Sequence, residues 1–344
     1  MTKTRKMFRS FNQFLNQGWM LKNRRLGIGS LSLLTALSCF LTSPAGIAEP
    51  SLTKLPATFE EWCQQRERQS REAQRTIAAL LLQAGTPDCD RAAFRLSRLN
   101  YLEITDARLT DLRPLQSFTN LTGLHLGNNR ISDLKPLGTL TKLTYLYLSF
   151  NQIEDLKPLA SLTNLNYLYL VENRISDLQP LGSLTNLIGL DLFENRVTDL
   201  SALRSLTNLK FLDVSFNRVS DLRPLQALTG LSELVAAAQQ ISDLEPLGGL
   251  TQLTYLDLSA NQITDLNALK PLENLVSLAL SRNQIRDLEP IQFLNNLTTL
   301  YLSRNQIMNL EPLKNLKNLT YLLVSQNPLP SQTCPLQPAS VCEF

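Results

Sequence analysis

A 22-residue period dominates this sequence. The segment LTGLHLGNNRISDLKPLGTLTK (121–142) recurs as LTYLYLSFNQIEDLKPLASLTN (143–164) and as LNYLYLVENRISDLQPLGSLTN (165–186). The leading leucine falls at every 22nd position from Leu99 to Leu319, and no residue is inserted or lost between those positions. One unit of this size cannot bury its own apolar side chains, so consecutive units must stack on one another. The sequence therefore predicts a solenoid.

The spacing of apolar residues predicts the structure of each unit. In the unit that starts at Leu121, they are Leu121, Leu124, Leu126, Ile131, Leu134, Leu137 and Leu140. The spacing of two near the start predicts a β-strand, and the later spacing of three predicts a 3₁₀ or loosely helical return. A proline in most returns, such as Pro136, excludes a long α-helix there. The predicted fold class is α/β: a curved parallel sheet on the concave face, short 3₁₀ or loop segments on the convex face, and a helical N-terminal cap.

Two polar columns repeat with the same period. The asparagine column is Asn129, Asn151, Asn173, Asn195, Asn217, Asn261, Asn283, Asn305 and Asn327. A buried amide at this turn can bond the backbone of neighbouring coils. The aspartate column is Asp111, Asp133, Asp155, Asp177, Asp199, Asp221, Asp243, Asp265 and Asp287. Each Asp precedes a turn whose free N–H groups it can cap, so we favour a structural role over a metal or acid–base site.

The first 48 residues have the pattern of a secretory signal peptide. They contain seven Lys and Arg and no Asp or Glu, then an apolar run from Leu26 to about Leu41, and small residues up to Ala48. Cleavage fits after Ala45 or Ala48. A retained anchor is the alternative, but the run is short for a spanning helix. We expect export to the periplasm, cell envelope or medium after cleavage near Ala48, without membrane insertion of the mature chain.

The net charge changes once this segment is removed. The whole chain has 33 Lys and Arg against 30 Asp and Glu, and a net charge of +3. Residues 49–344 have 26 basic against 30 acidic residues, and a net charge of −4. The basic excess therefore belongs to the targeting segment, and we expect no nucleic acid partner.

The sequence outside the repeat predicts two caps. Residues 49–98 carry a T-x-x-E capping box at Thr58 to Glu61 and a helix stop at Gly85, so we predict a helical cap over the first coil. The predicted domains are 1–48, the targeting segment; 49–98, the N-terminal cap; 99–329, the solenoid of eleven units with the last one partial; and 330–344, a C-terminal cap.

Apart from Cys39, the cysteines lie only in the two caps, as Cys63 and Cys89 and as Cys334 and Cys342. Four cysteines allow three pairings. Ten steps between coils at about 4.8 Å separate the two ends by roughly 50 Å, which favours one bond within each cap. A zinc site is the alternative, but neither pair has C-x-x-C spacing. Disulfide bonds also fit an exported protein.

The repeat L-x-x-L-x-L-x-x-N-x-I-x-D-L-x-P-L, from Leu99 to about Leu329, resembles the 22-residue leucine-rich repeat class of bacterial internalins and of a eukaryotic phosphatase-regulatory subunit. The caps, with Glu61-Trp62-Cys63 and the C-terminal cysteine pair, look more like those of exported bacterial leucine-rich repeat proteins. The resemblance implies binding of a protein ligand on the concave sheet. The N-terminal cap does not look like the internalin cap and no LPXTG-type signal follows the repeats, so cell-wall attachment and host invasion do not carry over.

Residues that flank the inward leucines of each strand face the concave side, where aromatic and acidic residues cluster. Four tyrosines on two adjacent strands form one patch with a histidine beside it, phenylalanines extend it, and carboxylates lie among them. The predicted partner-binding residues are His125, Tyr145, Tyr147, Phe150, Tyr167, Tyr169, Glu172, Asp191, Phe193, Phe211, Asp213 and Phe216. Rigid aromatic side chains beside charges suit recognition of a protein or peptide. The alternative is that these aromatic residues only stabilise cross-strand pairs.

One unit, residues 231–252, departs from the repeat. Ala236 replaces a core leucine and Gln239 replaces the asparagine. Either this repeat has drifted and is locally weaker, or it forms a dip in the concave wall that admits a side chain of the partner.

No catalytic motif interrupts the repeat. The chain has one histidine, His125, and lacks a phosphate-binding loop, H-E-x-x-H and G-x-S-x-G. We therefore predict a monomeric, non-catalytic binding module without a cofactor. The alternatives are an envelope structural or self-associating protein, and a cytosolic enzyme-regulatory subunit like the phosphatase partner. Size measurement would test the first alternative and N-terminal sequencing the second.

Overall fold

A parallel sheet of twelve strands runs through residues 56–344, the part of the chain that the computed structural model describes. The signal segment predicted at 1–48 and the first residues of the predicted N-terminal cap lie outside the described residues. The strands are β1 Tyr101–Glu103, β2 Gly123–His125, β3 Tyr145–Tyr147, β4 Tyr167–Tyr169, β5 Gly189–Asp191, β6 Phe211–Asp213, β7 Glu233–Val235, β8 Tyr255–Asp257, β9 Ser277–Ala279, β10 Thr299–Tyr301, β11 Tyr321–Leu323 and β12 Cys342–Glu343.

The sequence period sets the register of this sheet. Each residue of β2 pairs with the residue 22 positions later on β3, and the same offset holds for each pair up to β11. The leucine in the middle of each strand from β1 to β11 is buried, as are the other six apolar columns apart from Leu99 at the start of the first coil and Leu329 in the last coil. Equivalent side chains therefore stack into one continuous core, and the predicted fold class is confirmed.

The returns between strands are short 3₁₀ segments. Lys135–Thr139 is typical, with Pro136 in its first turn, where a missing N–H costs nothing. Asp133 lies just before it, and one of its carboxylate oxygens accepts a 2.9 Å hydrogen bond from the N–H of Lys135. All nine aspartates of the column accept the same bond, at 2.8 to 3.0 Å. This column therefore caps turns, as the sequence indicated.

The asparagine column links each coil to the one before it. Asn151 Oδ1 accepts a hydrogen bond from the N–H of Ile131, and its Nδ2 donates to the carbonyl of Leu126, both in the preceding coil. Gln239, which replaces the asparagine in the irregular unit, keeps both kinds of bond, to the N–H of Val219 and the carbonyl of Val214. The irregular unit therefore keeps its connection to the preceding coil.

Three helices cover the first coil: α1 Phe59–Gln64, α2 Arg71–Ala84 and α3 Cys89–Leu96. Thr58 caps α1 by accepting from the N–H of Glu61, whose carboxylate in turn accepts from the N–H of Ala57. Gly85 ends α2 with φ 64°, the left-handed conformation that glycine adopts without steric cost. Phe59 of α1 lies under the first coil, with its ring centroid 5.7 Å from that of Phe118.

One disulfide bond staples each end of the described chain. Cys63 bonds to Cys89, which joins α1 to the first residue of α3, and Cys334 bonds to Cys342. The tail does more than cover the last coil, because it adds β12 to the sheet beside β11. That twelfth strand is an addition to the eleven expected from the repeat. Among residues 56–344, no helix is both long and apolar enough to cross a membrane.

Candidate protein-binding surface

Five aromatic side chains on the adjacent strands β2, β3 and β4 are here called the tyrosine patch: His125, Tyr145, Tyr147, Tyr167 and Tyr169. The ring centroids of His125 and Tyr147 lie 4.3 Å apart, in an edge-on arrangement. The Tyr169 ring lies 5.5 Å from that of Tyr147 and 5.6 Å from that of Tyr145. These distances are typical of attractive aromatic pairs. The structure thus brings the predicted rings together on the face of the sheet opposite the core.

Glycines beside these rings leave the space that they occupy. A Cβ atom on Gly127 would lie 2.7 Å from Tyr147 Cε1 and 3.0 Å from His125 Nε2. A Cβ atom on Gly189 would lie 2.8 Å from Tyr167 Cδ1. Such distances are too short for carbon atoms, so a larger residue would displace the rings. Neither glycine is among the predicted partner-binding residues. Gly189 occupies the same position of the repeat as Tyr145, Tyr167 and Phe211, which is the signal in the sequence that indicates its place on the surface.

The tyrosine patch carries no net charge near neutral pH. Burial raises the pKa of the Tyr145, Tyr147 and Tyr169 hydroxyls above the usual value, so each remains a neutral donor. Burial also lowers the pKa of His125, although the carboxylate of Glu103, 3.6 Å from its Nδ1, acts in the opposite direction. The patch therefore offers apolar ring faces together with hydroxyl groups.

The residue before each asparagine of the column, and before Gln239 in the irregular unit, has a left-handed backbone. These residues, here called the rim column, are Asn128, Phe150, Glu172, Glu194, Phe216, Ala238, Ala260, Arg282, Arg304 and Gln326, with φ between 50° and 61°. None is a glycine, although a left-handed conformation is unfavourable for other residues by about 1–2 kcal/mol. The tight turn into the asparagine imposes this conformation. It also places large side chains at the carboxyl edge of the sheet, where Phe216 is 53% exposed and contacts Phe193 at 5.0 Å between ring centroids.

Carboxylates lie next to these rings and form the acidic centre: Glu172, Asp191, Glu194 and Asp213. Asp191 and Asp213 pair in register on adjacent strands. Burial raises the pKa of Asp191 well above its usual value, and the charge of Asp213 raises it further. Burial likewise raises the pKa of Asp213 to about 6, and the pKa of Glu172 is raised by burial and by the charge of Glu194. Ionising this centre is therefore unfavourable unless a cation approaches it.

The irregular unit carries small side chains both in the core and at the edge of the sheet. Ala236 is fully buried in the core, so losing a leucine there does not lower the concave wall. Ala237 and Ala238, which follow it, are partly exposed and do lie low at the edge of the sheet. Among residues 56–344 no group of three or more His, Cys, Asp or Glu side chains could hold a metal ion.

Comparison with known proteins identifies the repeat. A family model described as leucine-rich repeats (2 copies) matches residues 141–183, 185–227, 229–271, 251–296 and 273–315. The chain belongs to the leucine-rich repeat family. A comparison of this leucine-rich repeat protein with curated proteins gave no match.

Solved structures place it in the internalin-like class. An internalin, InlF, from Listeria monocytogenes is 28% identical with a TM-score of 0.65, over 86% of this chain and 99% of that one. Internalin C2 from the same species is 35% identical with a TM-score of 0.56, over 59% of this chain and 91% of that one. The resemblance found in the repeat is thereby confirmed.

A plant receptor shares the architecture. The ectodomain of the receptor kinase GASSHO1/SCHENGEN3 from Arabidopsis thaliana, solved in complex with CASPARIAN STRIP INTEGRITY FACTOR 2, is 25% identical with a TM-score of 0.57. The match covers 66% of this chain and 32% of that one. Together with the family match, these neighbours support a protein–protein interaction module.

Proposed function

We propose that this leucine-rich repeat protein is an exported, non-catalytic module that binds a protein or peptide ligand on its concave face. The contact surface is the tyrosine patch, extended by Phe150, Phe193, Phe211 and Phe216 and by the acidic centre. Export accords with the basic and apolar pattern of residues 1–48 and with the two disulfide bonds.

The observation that carries this proposal is the tyrosine patch. Four of its rings, those of His125, Tyr147, Tyr169 and Tyr145, form a chain of contacts at 4.3 to 5.6 Å on the open face of the sheet, while leucine and isoleucine side chains fill the core below them. Tyrosine supplies a large contact area and a hydroxyl donor with little conformational entropy to lose on binding. Aromatic clusters of this kind commonly provide most of the affinity of an interface.

The acidic centre strengthens the proposal. Asp191 and Asp213 are held side by side on adjacent strands, and burial raises the pKa of both, so ionising them costs the folded state free energy. The packing of a solenoid core does not require an aspartate pair on the open face of the sheet. A ligand with a cationic side chain would relieve the repulsion on binding.

Alanine variants test the surface. We expect the Tyr147→Ala, Tyr169→Ala double variant to lose at least about 30-fold in affinity for the ligand captured by the wild-type protein from the exported fraction, since two truncated hot-spot aromatics each cost at least about 1 kcal/mol. Tyr321→Ala is the matched control, because Tyr321 lies on β11 and its hydroxyl donates to Glu343 at 2.6 Å. Equal affinity of the double variant and the control would contradict the proposal.

Export has a separate test. N-terminal sequencing of the native protein should find a first residue near position 49. An intact Met1 would remove export from the proposal and favour the cytosolic regulatory subunit.

A further inference from the structure

The rim column changes charge along the sheet. Its acidic members, Glu172 and Glu194, lie in the coils of β4 and β5, whereas Arg282 and Arg304 lie in those of β9 and β10. All four side chains are exposed. The carboxyl edge of the concave face therefore has a negative and a positive end.

The two arginines have no neutralising partner within residues 56–344. Neither guanidinium group forms a hydrogen bond or an ion pair there. Other arginines of the solenoid do: Arg113 and Arg223 each contact the aspartate two residues earlier, at 2.6 and 2.8 Å. Adjacent coils are about 4.8 Å apart, so two like charges are held next to each other in a geometry that suits one carboxylate between them.

The surface between the acidic and the basic members of the rim column carries small side chains in the coils of β7 and β8. The edge residues of the coils of β7 and β8 are Ala237, Ala238, Ser259 and Ala260. None carries a side chain beyond a methyl or hydroxymethyl group, whereas Phe216 protrudes on one side and Arg282 on the other. A polypeptide backbone can approach such a floor closely.

Asp213 is the member of the acidic centre nearest the two arginines, and its separation from them fixes the length of a segment that could touch both. Three strand steps separate Asp213 on β6 from the coil of Arg282, and four separate it from that of Arg304. At about 4.8 Å per step the distance is roughly 14 to 19 Å. An extended chain advances about 3.3 Å per residue, so four to six residues cover it.

We propose that the partner presents an extended segment across the strands, with a Lys or Arg side chain at Asp213 of the acidic centre and an Asp or Glu side chain at Arg282 and Arg304, four to six residues apart. This inference rests on the proposed function, since it names the ligand of the same concave face. The cation neutralises carboxylates that repel one another, and the anion neutralises the arginine pair. Charge order along the sheet then sets the orientation of the segment.

The proposal implies a pH dependence. The acidic groups on the strands and turns around the bound cation are Glu172, Asp191, Glu194, Asp213, Glu233 and Asp257. Burial raises the pKa of Asp213 to about 6. As the pH is lowered from 7.5 to 5, protonation of Asp213 weakens the attraction of the acidic centre for the cation. Affinity for a basic side chain should therefore fall as the pH is lowered through this range.

A random twelve-residue peptide library displayed on phage and selected on the full chain tests this inference. We expect the enriched peptides to carry Lys or Arg and Asp or Glu four to six positions apart. A synthetic peptide of that class should bind at least about tenfold more weakly to an Arg282→Glu, Arg304→Glu double variant, and replacing its acidic residue with Lys should restore binding to that variant. The matched control is Arg286→Glu, an exposed arginine of the same coil whose Nε donates to Gln306 at 2.7 Å, which should change affinity less than threefold.

The outcomes separate this inference from the proposed function. In one outcome, peptides bind less to the Tyr147→Ala, Tyr169→Ala variant but equally well to the Arg282→Glu, Arg304→Glu variant. That result would overturn the inferred segment with two opposite charges and leave the proposed function standing. Selection without a binder, or binders without the charge spacing, would also overturn it. Binding that survives the tyrosine variants but depends on the arginines would contradict the proposed surface instead.

Discussion

Replacement of Asn151 by alanine isolates the energetic role of the asparagine column. Oδ1 of this residue accepts a 2.9 Å hydrogen bond from the N–H of Ile131 in the preceding coil. Its Nδ2 donates to the carbonyl of Leu126 at 3.0 Å and to that of Leu148 at 2.9 Å. Alanine removes all of these bonds, and the site is only 8% exposed, so water does not readily replace them.

The hydrogen-bond partners of Asn151 are not affected equally by its replacement with alanine. The carbonyl of Leu126 also accepts from Asn129, and that of Leu148 also accepts from Asn173, so both remain bonded in the variant. The N–H of Ile131 has no second acceptor. One unpaired buried N–H costs about 1–3 kcal/mol, and the weakened carbonyl bonds add about 1 kcal/mol. We therefore expect Asn151→Ala to lower the free energy of unfolding by about 2–4 kcal/mol.

The chain itself suggests the control. Gln239 fills the same position in the irregular unit, and its amide oxygen accepts from the N–H of Val219 at 2.7 Å. Asn151→Gln should therefore restore the acceptor for Ile131 and recover at least half of the stability lost in Asn151→Ala. Urea unfolding of both variants would measure the difference. Amide hydrogen exchange at Ile131 would localise it, with Ile153, whose acceptor Asn173 is intact, as the internal reference.

Two results would refute this reasoning. One is an equal loss of stability in the alanine and glutamine variants, since the acceptor would then be irrelevant. The other is unchanged exchange at Ile131 relative to Ile153 in the alanine variant, since the unpaired N–H would then carry no local cost.

Three further predictions concern the acidic centre, the tyrosine patch and the N-terminal cap. The folded-state pKa of Asp213 lies above its unfolded value, so the folded state binds more protons between about pH 4 and 6 and loses stability as the pH rises through this range. Asp213→Asn should therefore raise the free energy of unfolding at pH 7.5 by about 1–2 kcal/mol and flatten the dependence of this free energy on pH. An unchanged pH dependence would contradict this. Gly189→Val should displace the Tyr167 ring, because Cδ1 of that ring lies 2.8 Å from the position of a Cβ atom, and this should change the near-ultraviolet circular dichroism spectrum. The control is Gly249→Ala, which should leave the spectrum unchanged because no atom lies within 4 Å of its Cβ position. Replacing Cys63 and Cys89, 26 residues apart, by serine should cost about 3–4 kcal/mol by loop-closure entropy, measured by urea unfolding, and a loss below 1 kcal/mol would argue against a structural role.

The fold and the structural columns could be read from the sequence because each is repeated many times. A leucine every 22 residues specifies both the strand and its register, and Asp133 caps its turn because a short acceptor before a proline turn has few other roles. The pairing of Cys63 with Cys89 followed from the distance between the two ends of a stacked chain. Twelve strands instead of eleven could not be foreseen, because the tail pairs with β11 without carrying a repeat.

The sequence predicted the concave binding surface only in outline. The sequence placed Tyr147 and Tyr169 on one face, because alternate residues of a strand point the same way. It did not show that Gly127 makes room for the Tyr147 ring, since that contact depends on how the side chain leans between coils. The dip suggested for residues 231–252 stays a prediction: Ala236 faces the core, as its place in the repeat indicated, and the small residues at the edge of the sheet are Ala237 and Ala238.

The sequence by itself determined the stack of coils, its register and the identity of the side chains on each face, because a strict period leaves one way to bury the leucines. Only the tertiary structure decided which rings touch, how strongly Asp191 and Asp213 affect each other, and that the rim column is held in a left-handed backbone that contains no glycine. These properties arise between neighbouring coils, where a residue meets others 22 positions away, and no single repeat contains that information.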